Sequence, residues 1–195
     1  NIHASYGDAA AEIKDGKITA EKAALLLTTG NNDKGKGTIA VSGGTFSSAI
    51  NPEYCAPGFV PKANDDGTHG VEIKANMAAE VLDAQGNTVG AYDTLAAAIT
   101  AAKNGETIKL LKDTKLKDAE YTIDKSVTIN GPGKISCTVN TGEATRAFVV
   151  KNNGSLTLDG VELDIHGRSN PDPAKNNDGT GIDVQFGGKL VLQNQ

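Results

Sequence analysis

The sequence predicts a mainly β chain built as a solenoid, a parallel β-helix, with one short helix ahead of its first coil. Three observations carry this: a repeat at an offset of 34 residues, strands with an apolar residue at every second position, and Gly-rich turns between them. The repeat holds without gaps for fifteen residues: Arg146 to Gly160 reads RAFVVKNNGSLTLDG, and Thr180 to Asn194 reads TGIDVQFGGKLVLQN. It aligns Phe148 with Ile182, Val150 with Val184, Gly154 with Gly188, Leu156 with Leu190 and Leu158 with Leu192. Alternation buries one face of each strand. The glycine at a constant place is expected to supply a turn with positive φ. Each copy is too small to cover its own apolar face, so copies must stack, and stacking at a regular period is a solenoid.

Taken in order along the chain, Thr19 to Leu27 fits either a short helix followed by Gly30 or a buried strand over Ala24 to Leu27. Periodicity does not separate the two at this length. Val41-Ser-Gly-Gly-Thr-Phe-Ser-Ser reads as a strand and turn, and Gly58-Phe-Val-Pro and Asp65-Asp-Gly-Thr-His-Gly-Val-Glu-Ile follow it. Thr94 to Lys103 is the one well-formed helix: Asp93 is placed to cap it, Leu95, Ala98, Ile99 and Ala102 share a face, and Asn104-Gly105 stops it. Strands are expected over Thr107–Leu111, Tyr121–Ile123, Ser126–Ile129 and Lys134–Thr138, with Asn130-Gly-Pro-Gly133 a turn between the last two. A bare β-helix coil needs roughly 20 to 25 residues, so the 34-residue offset implies an insertion. Gly167 to Gly179, GRSNPDPAKNNDG, is polar, holds two prolines and lacks apolar periodicity, so it is expected to leave the coil as a surface loop.

The run from Tyr92, YDTLAAAITAAKNGETIKLL, resembles the amino-terminal cap and first strand of pectin-lyase-like right-handed β-helix proteins. In those proteins a Tyr-x-Thr-Leu-x-x-Ala-Ile-x-x-Ala helix leads into a Gly-(Asp/Glu)-Thr-Ile strand. Ser126-Val-Thr-Ile-Asn-Gly and Gly154-Ser-Leu-Thr-Leu-Asp-Gly extend the resemblance over about residues 89 to 195. It implies a right-handed coil with a capping helix at about 93–104 that covers the apolar end of the stack. Function does not follow from it, because that fold hosts lyases, hydrolases, adhesins and spacers. The Val41 to Ser48 segment is similar to a module of large surface proteins of gut-type Firmicutes. On that likeness residues 1–75 form a smaller β-rich unit, the end of a preceding β-helical module, and 76–195 begin the next. The chain opens at Asn1 without Met, and Lys189 to Gln195 fall inside a strand pattern, so the expectation is a piece of a longer exported protein.

Charge and composition narrow the partners. Lys plus Arg is 19 and Asp plus Glu is 24, a net of −5, with neither sign in a long block. Nucleic acid asks for a basic stripe and often aromatic platforms; aromatics are 4% here and Trp is absent. No apolar run approaches the roughly 18 residues of a membrane span. Cys55 and Cys137 lack metal-ligand neighbours and fit unpaired core thiols, though spacing leaves a disulfide open. His69 and His166 fall at Gly-bounded positions and are expected in solvated turns.

Candidate site residues gather on the inserted loop. Arg168, Asn170, Asp172, Lys175, Asn177 and Asp178 are the candidate ligand contacts, and Asp172, Asp178 and Asp183 are candidate calcium ligands, oxygen donors suited to that ion. Asn177-Asp-Gly-Thr-Gly-Ile-Asp183 looks a little like the Asn-Thr-Asp-Gly-x-Asp segment of polygalacturonase-type glycosidases, which would make Asp178 and Asp183 acid and base. That family also has a second Asp pair, a Gly-His-Gly and an Arg-x-Lys in later coils, which this sequence does not reach, and Asp183 aligns with Val149 in a slot that alternation points outward. No other cofactor is implied. The expected function is a non-catalytic module of an exported, secreted or cell-surface bacterial protein, acting in adhesion, in binding a host protein or glycan, or as a spacer. The alternative is a fragment of a polysaccharide lyase or glycoside hydrolase of the β-helix fold. Self-association through an exposed last coil is a further expectation.

Overall fold

A computed structural model describes residues 8–27, 36–116, 120–139, 146–167 and 180–194. It is mainly β, with several sheets of parallel strands. Two compact units divide the chain: Asn1–Asn76 with Asn87–Ala91, and Met77–Gly86 with Tyr92–Gln195. Residues 87–91 thus group with the first unit rather than the second.

In the first unit, β1 (Ala9–Ile13) pairs in parallel with β3 (Gly37–Val41), Ala9 opposite Gly37 and Ile13 opposite Val41. The two-residue strands β2 (Lys17–Ile18) and β4 (Thr45–Phe46) pair in parallel at the same 28-residue spacing, Ile18 opposite Phe46. Two short parallel strand pairs at one spacing therefore border a core of Ile39, Val41, Phe46 and Ile50, with Ile13, Ile18 and Leu25 packed against it. Residues 19–26 form neither the helix nor the strand that their composition allows. Ser47 and Ser48 hydroxyls instead accept the backbone N–H groups of Ala20 and Ala24, and the Tyr54 hydroxyl accepts that of Leu27. These local side-chain bonds compete with regular structure. A 3₁₀ turn at Pro52–Tyr54 precedes the antiparallel hairpin of β5 (Phe59–Ala63) and β6 (His69–Ile73). His69 opens β6 rather than sitting in the turn.

The second unit begins with β7 (Ala79–Leu82); β8 (Thr88–Tyr92), whose residues up to Ala91 belong to the first unit, follows in the chain, and then α1 (Leu95–Ala101), the one α-helix among the described residues. Thr94, not Asp93, caps α1: its hydroxyl accepts the Ala97 N–H at 3.2 Å. The apolar face is the one the spacing predicts, with Leu95, Ala98, Ile99 and Ala102 all buried. Past the helix the strands are β9 (Glu106–Leu110), β10 (Thr114–Lys115), β11 (Tyr121–Ile123), β12 (Ser126–Asn130), β13 (Ile135–Val139), β14 (Arg146–Val150), β15 (Ser155–Asp159), β16 (Leu163–Gly167), β17 (Thr180–Val184) and β18 (Lys189–Gln193). They form three parallel sheets, β9-β12-β15-β18, β10-β13-β16 and β11-β14-β17, and β7 adds antiparallel to β9. The chain visits the three sheets in the same order three times and begins a fourth pass with β18.

Register follows the repeat residue for residue. Phe148 lies opposite Ile182, Val150 opposite Val184, Leu156 opposite Leu190 and Leu158 opposite Leu192. Columns of like residues result: Ile108, Ile129 and Leu158, each fully buried, stack from β9 to β12 to β15. Such columns place apolar side chains in contact across strands about 4.8 Å apart, which is what secures the register.

The glycine of the repeat works differently from the expectation. Gly154 and Gly188 do not have positive φ; Asn153 (φ 64°) and Gly187 (φ 77°), one residue earlier, do. What requires glycine is close approach, because a Cβ at Gly154 would meet the carbonyl oxygen of Ile123, and one at Gly188 would meet that of Val150 2.6 Å away. Ile123 and Val150 belong to the preceding pass of the chain, so each glycine lets one pass settle onto the last. Gly43 does the same in the first unit against the Lys14 carbonyl.

Candidate functional site

Arg168, Asn170, Asp172, Lys175, Asn177 and Asp178 lie outside the described residues. Their segment runs between Gly167, the end of β16, and Thr180, the start of β17. The geometry that bears on it is that of its two feet, one in each of two sheets.

At the first foot, β16 carries Asp164 and His166 on the side opposite its inward Leu163 and Ile165. Asp164 holds the Lys134 ammonium at 2.9 Å through Oδ2 and the His166 Nε2 at 2.6 Å through Oδ1. Lys134 also meets Glu162 at 2.9 Å, and its backbone N–H donates to Asp113 Oδ1. His166 is therefore a strand residue with an acidic partner rather than a turn residue, although it is exposed. Hydrogen bonding to Lys134 holds the Asp164 carboxyl below the usual carboxylate range, and Asp164 and Glu162 raise the Lys134 ammonium in turn. All of these groups face solvent, so screening keeps each pair's energy small.

At the second foot Asp183 does not stand free. Its Oδ2 accepts Arg146 Nη1 at 2.7 Å, and the same guanidinium donates Nε and Nη2 to the two oxygens of Glu120, at 2.9 and 3.1 Å. Two carboxylates, one from the pass before Arg146 and one from the pass after it, thus share one planar cation, the geometry at which Arg excels. Both partners hold the Arg146 charge firmly on, Glu120 most. Val149, which lies opposite Asp183, is buried along with Ala147, Phe148 and Val150, so β14 is covered on both sides, whereas the Asp183 side chain on β17 is 32% exposed.

The arrangement holds charge in place more than it offers reactivity, since each carboxylate described at the two feet is engaged by a cation. Among the described residues no three His, Cys, Asp or Glu side chains converge as a metal site, and Asp172 and Asp178 lie outside them. Cys55 and Cys137 form no disulfide, Cys137 is buried, and burial pushes the Cys55 thiol up rather than toward a reactive thiolate. No helix among the described residues is long and apolar enough to cross a membrane.

No family model, curated protein or solved structure matches this chain. The site is read from its own geometry. Glu120, Lys134, Glu162 and Asp164 are the residues that sequence reasoning passed over. The signal for them is register: Lys134 precedes Ile135, which lies opposite Leu163, and this sets Lys134 beside Glu162. Of the charged residues at the two feet, Arg146 and Asp183 stand inside the visible repeat, Arg146 opposite Thr180 and Asp183 opposite Val149.

Proposed function

We propose that the chain is a non-catalytic binding or spacer module of an exported bacterial surface protein. In this reading the second unit is a right-handed parallel β-helix that displays the segment 168–179, and the first is the end of a preceding unit of the same kind. One observation carries it: the chain passes through three parallel sheets in a repeating order with apolar columns in register, and the twelve-residue insertion falls between two of those sheets. A scaffold of that kind keeps its own stability in the columns and leaves the insertion free to vary. The 28-residue spacing of the parallel pairs β1–β3 and β2–β4 supports the same reading of the first unit. Ligands of the segment are a host surface or secreted protein, or a glycan, with calcium as the metal that Asp172 and Asp178 would suit. Exposed Val184, Phe186 and Leu192 on the last pass support self-association through that edge.

The test is a screen of the purified chain against glycan arrays and host surface and secreted proteins, with calcium and with chelator. A specific hit that disappears when 167–179 is replaced by a short Gly-Ser turn, with the far-ultraviolet spectrum unchanged, is the expected result. Binding that survives the replacement removes the segment from the site. Turnover of polygalacturonate or pectin would establish the enzyme-fragment alternative in its place.

A further inference from the structure

Within the second unit a cleft of about 340 Å³ opens between the start of α1 and β10, a volume at the lower end of those that take small molecules. It is distinct from the segment 168–179. Its apolar lining comes from Leu95 and Leu116, both buried, and from Ala96 on the first turn of the helix. Tyr121 forms an aromatic wall, braced against Phe148 with ring centroids 6.2 Å apart and planes at 50°. Phe148 is fully buried and backs the Tyr121 ring from the core side.

The rim is polar and balanced. Asp93 and Asp113 contribute two negative charges and Lys112 and Lys115 two positive ones, a sum of zero. Two of its groups are held in place: Asp113 Oδ1 accepts the Lys134 N–H at 2.9 Å, and Thr94 Oγ1 accepts the Ala97 N–H, which leaves the Thr94 hydroxyl proton to donate elsewhere. A phosphate or sulfate would want an excess of cations and a metal ion an excess of carboxylates, so the zero sum argues against both. A ligand with an apolar face, several hydroxyls and no charge answers all the groups at once. Carboxylates accept from vicinal hydroxyls, and an aromatic wall over an aliphatic floor takes a face of C–H groups.

We infer that this cleft binds a neutral sugar residue, with its C–H face on Tyr121, Leu95 and Leu116 and its hydroxyls on Asp93, Asp113 and Thr94. This deepens the ligand-binding reading of the module and rests on it, while placing a second contact away from the insertion. The experiment is a heteronuclear NMR titration of the full chain with methyl glycosides of neutral hexoses and N-acetylhexosamines in the millimolar range, with methyl glucuronide and methyl glucosaminide as charged counterparts. Neutral glycosides should shift the amide signals of residues 93–96 and 112–116. Ala96→Trp, which fills the cleft from a half-buried helix position, should weaken that binding about tenfold or more. Asp113→Asn retains the acceptor for Lys134 and should weaken it several-fold with the remaining spectrum unchanged, so a misfolded Ala96→Trp does not decide the matter. Shifts in 93–96 and 112–116 only with a charged glycoside, or none there with any, overturn the inference. Shifts confined to the neighbours of 168–179 also overturn it while leaving the ligand-binding reading intact.

Discussion

Leu158 and Leu192 occupy the same place in the repeat and lie opposite each other in register, yet the structure gives them different surroundings. Leu158 is fully buried between Ile129 and Leu192, whereas Leu192, on the outer strand, is 56% exposed. Truncation of a fully buried leucine costs about 2–5 kcal/mol, the transfer of its methyl groups plus the cavity left behind. Leu192 has under half its surface covered and leaves an open notch rather than a cavity, so Leu192→Ala should cost about 1 kcal/mol or less. Urea denaturation followed by circular dichroism, with the midpoint compared at constant slope, measures both. The ratio between them is the informative quantity, because errors in the unfolded reference largely cancel. Equal losses at a concentration where the protein is monomeric would refute the stacking argument. Equal losses that converge only as concentration rises would show that another chain covers β18.

Three further outcomes follow from particular contacts. Gly154→Ala should destabilise by about 1–3 kcal/mol through overpacking against the Ile123 carbonyl, while Asn153→Gly, at φ 64°, should be nearly neutral; equal costs in denaturant melts would return the requirement to backbone φ. The Asp164 carboxyl is held low by Lys134, so its contribution is present above the unfolded carboxylate value of about 4 and is lost as pH falls through the lower folded value. Asp164→Asn should therefore flatten the acid limb of a stability–pH profile, and an unchanged limb would deny the pair a role. Without reductant, two thiols should titrate in denaturant, and in the native state the half-buried Cys55 should react before the buried Cys137; zero thiols in denaturant would mean a disulfide.

How far the sequence could be read depended on whether a physical cause repeats at constant spacing. The offset of 34 in β14–β17 and β15–β18 is visible because both strands and the turn between them recur together, and its register appears unchanged in the structure. Earlier passes have other spacings. Val127 lies opposite Glu106, 21 residues before it, while Ser155 lies opposite Ser126, 29 residues before it. Stacking tolerates this because turns between sheets differ in length, but a search at fixed offset sees nothing. The helix face was legible from 3.6-residue spacing, whereas its cap was not. Asp93 and Thr94 are both good caps, and the extended backbone at Thr94 (φ −135°, ψ 149°) decides between neighbours.

The charged feet of the insertion show why site residues were harder still. An ion pair such as Lys134 with Glu162 joins positions whose adjacency exists only after register is known, and Glu120, Arg146 and Asp183 draw on three successive passes. The same register removes Asp183 from consideration as an unengaged base, since the cation that answers it is 37 residues away in sequence. It also makes sense of where charge has been placed. Arg146 ties β17 to the pass before it, and Lys134 ties β16, so the strands on either side of 168–179 are each held by a cation that bridges two carboxylates. Exposed single pairs contribute little, but a cation that holds two carboxylates, both on the next pass as for Lys134 or one on each flanking pass as for Arg146, resists the shear by which one pass would slip on the next.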